Sequence, residues 1–304
     1  MKEKHVSLVN GKVKLKADAK KVEKKAPKES PLDKRLKEEI FKYNKEYALF
    51  NDLGTSLFTE RKRSVDLITI IEVFVNSIAN SPKSFDKDIS EIKSKRIDFK
   101  NACDFAEQEL NDAKKSAAAA GVGAAGAMAF ASLAPTAAMW VATTFGTAST
   151  GTAISALSGA AATSAKLAWL GGGALAAHGG GMVAGQAFLA MAGPIGWGIA
   201  GASLLTSIAL FVNGKHKRDE EKQEEINSVL KNTYKIRITR QKLEGLYKLT
   251  YSTRDNLMEQ YISCMDLFGK DYILLSEEKQ LALGTLVNNT KSLAILLGED
   301  LREK

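Results

Sequence analysis

A chain of 304 residues, 45% hydrophobic and 26% charged, is long enough to bury a sizeable core or to hold two ordinary domains. Its formal charge of +8 suggests nucleic acid until the charge is located: residues 1–31 hold ten lysines against Glu3, Asp18, Glu23 and Glu29, which is +6 of the total. The excess belongs to a tail rather than a folded face, so no specific nucleic-acid partner is expected; the tail is a solvating arm, or it visits anionic lipid at about 1 kcal/mol per basic residue.

Cys103 and Cys264 stand far apart with no CxxC, which suggests neither a disulfide framework nor a zinc site. The first thirty residues are polar and lack the apolar core of a secretory signal. Cytoplasmic synthesis, with membrane association from that side, is the resulting expectation.

Within the tail (1–30), Val6–Val9 and Lys12–Lys16 alternate on either side of Asn10-Gly11, the form of a type I′ hairpin. A lone hairpin is marginal in water, so this one docks on a partner or stays largely unstructured. Ser30-Pro31-Leu32-Asp33 then reads as a helix start, with a capping serine, proline in the first turn and an acid near the positive end of the dipole. Leu36, Ile40, Tyr43, Tyr47, Phe50, Leu57, Ile68, Ile71, Val75 and Ile78 keep helical spacing as far as Asn80-Ser81-Pro82, with Gly54 as the weak point. A second helix is expected from Ser84 through Ile92, Phe99, Cys103 and Leu110, so residues 31–115 form a pair of long amphipathic helices.

The segment 116–214 is different. Between Lys115 and Lys215 the only charged side chain is Lys166, and 18 of the chain's 24 glycines lie there. An ordinary soluble core is rich in Leu, Ile and Phe packed to crystal-like density, whereas this block is mostly Ala and Gly. A bilayer accepts such a segment, because few charges enter it and small residues let helices approach closely. It has room for spans of about 20 residues at roughly 117–145, 149–170, 172–192 and 194–213, with breaks at Pro135, Gly146 and Gly193-Pro194. Two longer arms, or short interfacial segments, fit the same letters. Basic residues at both flanks favour an even number of crossings.

Small residues recur at every fourth position, in Gly151–Ser155–Gly159 and in Gly173–Ala177–Gly181–Gly185. On helices, such rows would form ladders for close packing. Trp140, Trp169 and Trp197 are the only tryptophans, suited to interfacial anchoring or to packing beside glycine gaps. Lys166 either snorkels from a segment end or joins His178 and Gln186 on a water-filled lumen, to which Thr143, Thr144, Ser149, Thr150 and Ser155 would add hydroxyls. Gly and Ala contribute little apolar surface, so the block is less hydrophobic than constitutive spans. That points to a segment that can be stored against protein and released.

Ala177–Gly185 with Ala187–Ala190, preceded by the Ala-rich Ser158–Ala168, resembles the glycine-rich membrane region of the interferon-alpha-inducible small membrane proteins. That resemblance implies membrane association and helix packing rather than an activity. Long amphipathic helices around an internal apolar block resemble the plan of α-helical pore-forming toxins of the cytolysin type, which implies bilayer permeabilisation.

Past the block, 215–304 holds a third long helix and a shorter last one. Ile226, Tyr247, Tyr261 and Phe268 lie in one heptad row, and Val229, Ile236, Leu243, Leu257 and Cys264 in another; Arg240 and Arg254 interrupt the first. Gly269 ends this helix; Ser276 starts the last one, which carries Leu281, Leu286, Val287, Leu293, Leu296 and Leu297 and closes at Gly298. The expected fold is all-α, an elongated antiparallel bundle of long amphipathic helices flanking the apolar block.

No catalytic chemistry stands out. Gly121-x-Gly123-x-x-Gly126 follows no strand and is a chance match in Gly/Ala-rich sequence, and His5, His178 and His216 are too scattered for a metal site. Neither an enzyme nor a cofactor is expected. The leading expectation is a membrane-inserting, homo-oligomerising helical protein that permeabilises or remodels a bilayer. The alternatives are a constitutive integral membrane scaffold, or subunit of a larger complex, and a soluble helical protein that engages a partner through its long helices.

Overall fold

The computed structural model describes residues 30–119, 133–148, 152–170 and 219–301. The hairpin expected within 6–16 and the segments expected over 172–192 and 194–213 fall outside these residues. The fold is all-α: among the described residues there is no strand, only two single-pair bridges. Helix α1 spans Pro31–Asn76, α2 Lys83–Ala119, α3 Leu133–Phe145, α4 Gly159–Leu170, α5 Asp219–Cys264 and α6 Glu277–Gly298.

Helix α1 begins as its sequence dictates. The Ser30 hydroxyl accepts from the Asp33 backbone N–H at 3.2 Å, and the Ser30 N–H donates to the Asp33 carboxylate at 3.1 Å, a reciprocal capping box. The helix then runs unbroken through Gly54. Glycine has a different role there: α3 crosses at this point, and a Cβ on residue 54 would stand 2.6 Å from the buried Val141 Cγ2.

Among the described helices, α1 and α5 make the largest interface, and they run in the same direction. Lys222 pairs with Asp33 near the start of both, Arg240 with Glu46 further on, Arg254 with Glu60 further still, and Tyr261 meets Phe74 edge-to-face near the far end. The antiparallel expectation fails for this pair. It holds within the hairpin α1–α2, where Arg96 pairs with Glu72 and Phe99 packs on Phe58. Helix α6 likewise turns back from the end of α5. The architecture is therefore two helical hairpins side by side, tips together, with the apolar block connecting them in sequence.

The tips are tied by backbone. Ala79 N–H donates to the Lys270 carbonyl at 3.0 Å, and Tyr272 N–H to the Ala79 carbonyl at 2.9 Å. Asn80, at φ +53°, donates its amide to the Asp271 carboxylate at 2.7 Å, and Gly269 N–H donates to the Ser77 hydroxyl at 3.0 Å. Helix α5 yields to a 3₁₀ turn, Met265–Leu267, just before this junction. That change of twist carries Phe268 off the seam to 62% exposure, although the heptad spacing placed it inside.

The expected seam rows of α5 are otherwise largely buried, and the two interruptions have a cause. Glu46 and Glu60 are two heptads apart on α1, as Arg240 and Arg254 are on α5. Each arginine reaches its glutamate across the seam. Side-chain burial leaves Glu60 3% exposed, so this pair is largely removed from water.

Because Val141 is β-branched and fully enclosed, it has little freedom to yield to a new methyl at position 54. Gly54→Ala should lower stability by about 1–2 kcal/mol despite the helix-propensity gain. Adding Val141→Ala should recover part of that loss, giving a non-additive double-mutant cycle in urea unfolding; strict additivity would place the two residues out of contact.

Candidate functional site: the apolar segments against α1

Helix α1 buries more than the face it gives to α5. In the adjacent row Ile40, Tyr47, Gly54, Arg61, Ile68 and Val75, the middle residues Tyr47, Gly54 and Arg61 receive parts of the apolar block. Helix α3 lies on α1 and α2. Six consecutive α3 residues, Ala137 to Ala142, are each no more than 2% exposed. A helix stretch buried on consecutive positions has no water-facing side, so the middle of α3 is enclosed all round. Trp140 is its largest anchor, with ring centroids 5.3 Å from Phe58, 6.1 Å from Phe99 and 5.4 Å from Phe145.

The chain reverses between α3 and α4. Ile154 N–H donates to the Gly146 carbonyl at 3.0 Å, and Ala148 N–H to the Thr152 carbonyl at 2.8 Å. Gly146 follows from crowding, since a Cβ there would lie 2.2 Å from the Ala142 carbonyl oxygen. Helix α4 then brings Trp169 against Tyr47 and Phe50, with centroids 5.5 and 5.9 Å away. The Tyr47 hydroxyl donates to the Trp169 carbonyl, tying the described end of α4 to α1. Full burial pushes the Tyr47 phenol well above its ordinary pKa.

Lys166 is 2% exposed. Its ammonium lies 3.1 Å from the Glu109 carboxylate on α2 and 4.7 Å from the Phe105 ring centroid. In this structure it is a buried ion pair that meets the block's one charge with a carboxylate of α2. Trp140 and Trp169, 2% and 6% exposed, take the packing role in this structure rather than the interfacial one.

The first small-residue ladder departs from expectation. Ser155 is exposed on a 3₁₀ turn, Ile154–Ala156, and Gly159 starts α4 at φ +56° with open space around it. Extended backbone at Leu157 separates them, so they do not form a row on one helix face. A continuous helix over 149–170 is likewise replaced by a turn and the short α4. Gly151, Gly173, Ala177, Gly181, Gly185, His178, Gln186 and Trp197 lie outside the described residues. Among those described, no helix is long and apolar enough to cross a membrane, and no group of His, Cys, Asp and Glu could hold a metal ion.

Sequence reasoning missed Arg61, Glu109 and the glutamates facing α5. Arg61 is 1% exposed, and burial lowers its guanidinium pKa to about 10, opposed by the charges of Glu299 and Asp300. The half-buried Cys103 thiol nearby is pushed up to about 11 by the same desolvation. A signal did exist for part of this set. Charges at seam positions of α5, repeated at two heptads, call for opposite charges at the same interval elsewhere in the chain.

Removing Glu109 would leave the Lys166 ammonium buried without its partner. Glu109→Gln should cost about 2–3 kcal/mol, below the fully buried range because Glu109 keeps some solvent contact, while Lys166→Met should stay within about 1 kcal/mol of the parent. Thermal unfolding of the two variants checks the order, and equal losses would mean the pair is not electrostatically coupled. Compared with protein-family models, curated proteins and solved structures, the chain finds no match.

Proposed function

We propose that this chain is a membrane-active helical protein that holds an apolar Gly/Ala-rich block against its own bundle, releases it into a lipid bilayer, and oligomerises there to permeabilise or remodel the membrane. The observation that carries the reading is the enclosure of α3. A 13-residue helix with no charged side chain lies against α1 and α2, inside a block of 99 residues that holds one charge. The reading gains support from Lys166, whose charge is met by Glu109 within the bundle. Both contacts involve the hairpin α1–α2, while α1 meets α5 on a neighbouring row, so α3 and α4 can leave without dismantling the α1–α5 seam.

In the released state, small residues spaced by four would let helices of neighbouring protomers approach closely and gain dispersion contact. Gly173, Ala177, Gly181 and Gly185 form one such row, with three glycines. The Lys-rich tail would bring the protein to anionic lipid, the bilayer being the proposed partner. Release requires a trigger with different affinity for the two states. The reading assigns no catalytic step and no cofactor to the chain.

Detergent-free lysis should yield a soluble form, and that form should release dye from anionic liposomes. Gly181→Leu and Gly185→Leu should each reduce release by about tenfold or more while leaving helix content in solution unchanged. A protein found only in a carbonate-resistant membrane pellet, or a soluble form inert toward liposomes, overturns the reading. Full release by both variants discards the glycine row.

A further inference from the structure

Arg61 stands where α1, α2, α3 and the end of α6 meet. Its Nη2 donates to the Glu299 carbonyl oxygen at 2.6 Å, and its guanidinium carbon lies 5.5 Å from the Trp140 ring centroid. Glu299 and Asp300 supply nearby negative charge, and Cys103 of α2 is also close enough to act electrostatically. Nε of Arg61 has no hydrogen-bond partner among the described residues. Helix α6 ends at Gly298, so the accepting carbonyl belongs to the extended residue just past the helix. Leu297 is 1% exposed and Leu301 packs on the core, which fixes this end in place.

We propose that the segment Gly298–Leu301 is a latch on the apolar block: it compensates the buried guanidinium of Arg61, and only a compensated Arg61 can stay packed against Trp140 of α3. The physical basis is an asymmetry. A buried cation with its partners in place is tolerated, whereas one that loses them must move toward water. An Arg61 that moves toward water leaves its position against Trp140, so displacing Gly298–Leu301 loosens the packing of α3. The Glu299 and Asp300 carboxylates add negative charge near the same guanidinium, so neutralising them weakens the compensation that the Glu299 carbonyl provides.

The consequence in a bilayer rests on the reading above; the coupling itself does not, and it is measured without lipid. In the full chain, Glu299→Gln with Asp300→Asn should speed amide hydrogen exchange across Leu133–Phe145 by about tenfold or more, with α5 amides unchanged. Adding Arg61→Met, which leaves no cation to compensate, should restore slow exchange in α3. Unchanged α3 exchange in the charge-neutral variant overturns the latch, as does acceleration that persists after Arg61→Met. If the double variant loses helix content throughout, the single variants take its place, and no effect of either on α3 likewise overturns the proposal. Dye release by the parent protein is read separately: its absence, with the exchange result intact, defeats the membrane reading and leaves the latch standing.

Discussion

The structure depends on one helix serving two neighbours at once. Helix α1 gives one row of side chains to α5 and an adjacent row to α3, α4 and the end of α6. On the α5 side its register is set by charge: Glu46 and Glu60 meet Arg240 and Arg254 at matching intervals of two heptads. A slip of one heptad would bring each carboxylate opposite an apolar or hydroxyl side chain and leave buried charge without a partner. Such a penalty is larger than any gain in apolar contact from an altered register. Once α5 is fixed in this way, the position of the second hairpin follows, and with it the place where the end of α6 meets Arg61.

The two faces of α1 differ in how they hold their neighbours. The α5 face combines heptad packing with cross-seam ion pairs along most of its length. The other face relies on a few large anchors set among small residues: Trp140 among Phe58, Phe99 and Phe145, and Trp169 beside Tyr47 and Phe50. Alanines fill much of the rest of α3, and each buries little area, so the hydrophobic stabilisation per residue is low there. Helices held this way can separate at lower cost than helices interlocked by Leu and Ile. The membrane reading asks for that contrast between a durable seam and a detachable one.

Much of the bundle was legible in the sequence, because local signals decide helix ends. Ser30-Pro31 and Asp33 mark the start of α1, Gly269 lies just beyond the end of α5, and Gly298 closes α6. Periodicity located most of the buried positions. It did not give direction: nothing local distinguishes a parallel partner from an antiparallel one, and the carboxylates that answer Arg240 and Arg254 lie 194 residues away. The apolar block was the least legible part. Its letters suit a membrane or a protein interior, although Gly146 did mark the break where α3 ends and where a Cβ would meet the Ala142 carbonyl. Lys166 was singled out because it is charged, yet its partner Glu109 looked like any solvent-facing carboxylate on α2. Arg61 stayed hidden for a related reason, as one basic residue among several in the Glu60–Arg63 stretch.

The junction of the two hairpin tips has a consequence for the order in which the protein takes shape. Ala79 bonds to Lys270 and Tyr272, partners almost two hundred residues further along the chain. During synthesis, α1 and α2 leave the ribosome first, followed by the apolar block, and α5 comes only afterwards. For that interval, the α1 row that will meet α5 lies bare beside a segment rich in apolar side chains. Contacts of such long sequence separation form slowly, because loop closure must precede the pairing that rewards it. Nascent chains are prone to misassociation while apolar surface waits for its partner. The glutamates on the waiting row bear on this hazard as well as on register. Helix α3 carries no cation, and the one cation of α4, Lys166, is taken by Glu109. Neither helix has a charge to offer Glu46 and Glu60, so that face of α1 stays open until the arginines of α5 arrive.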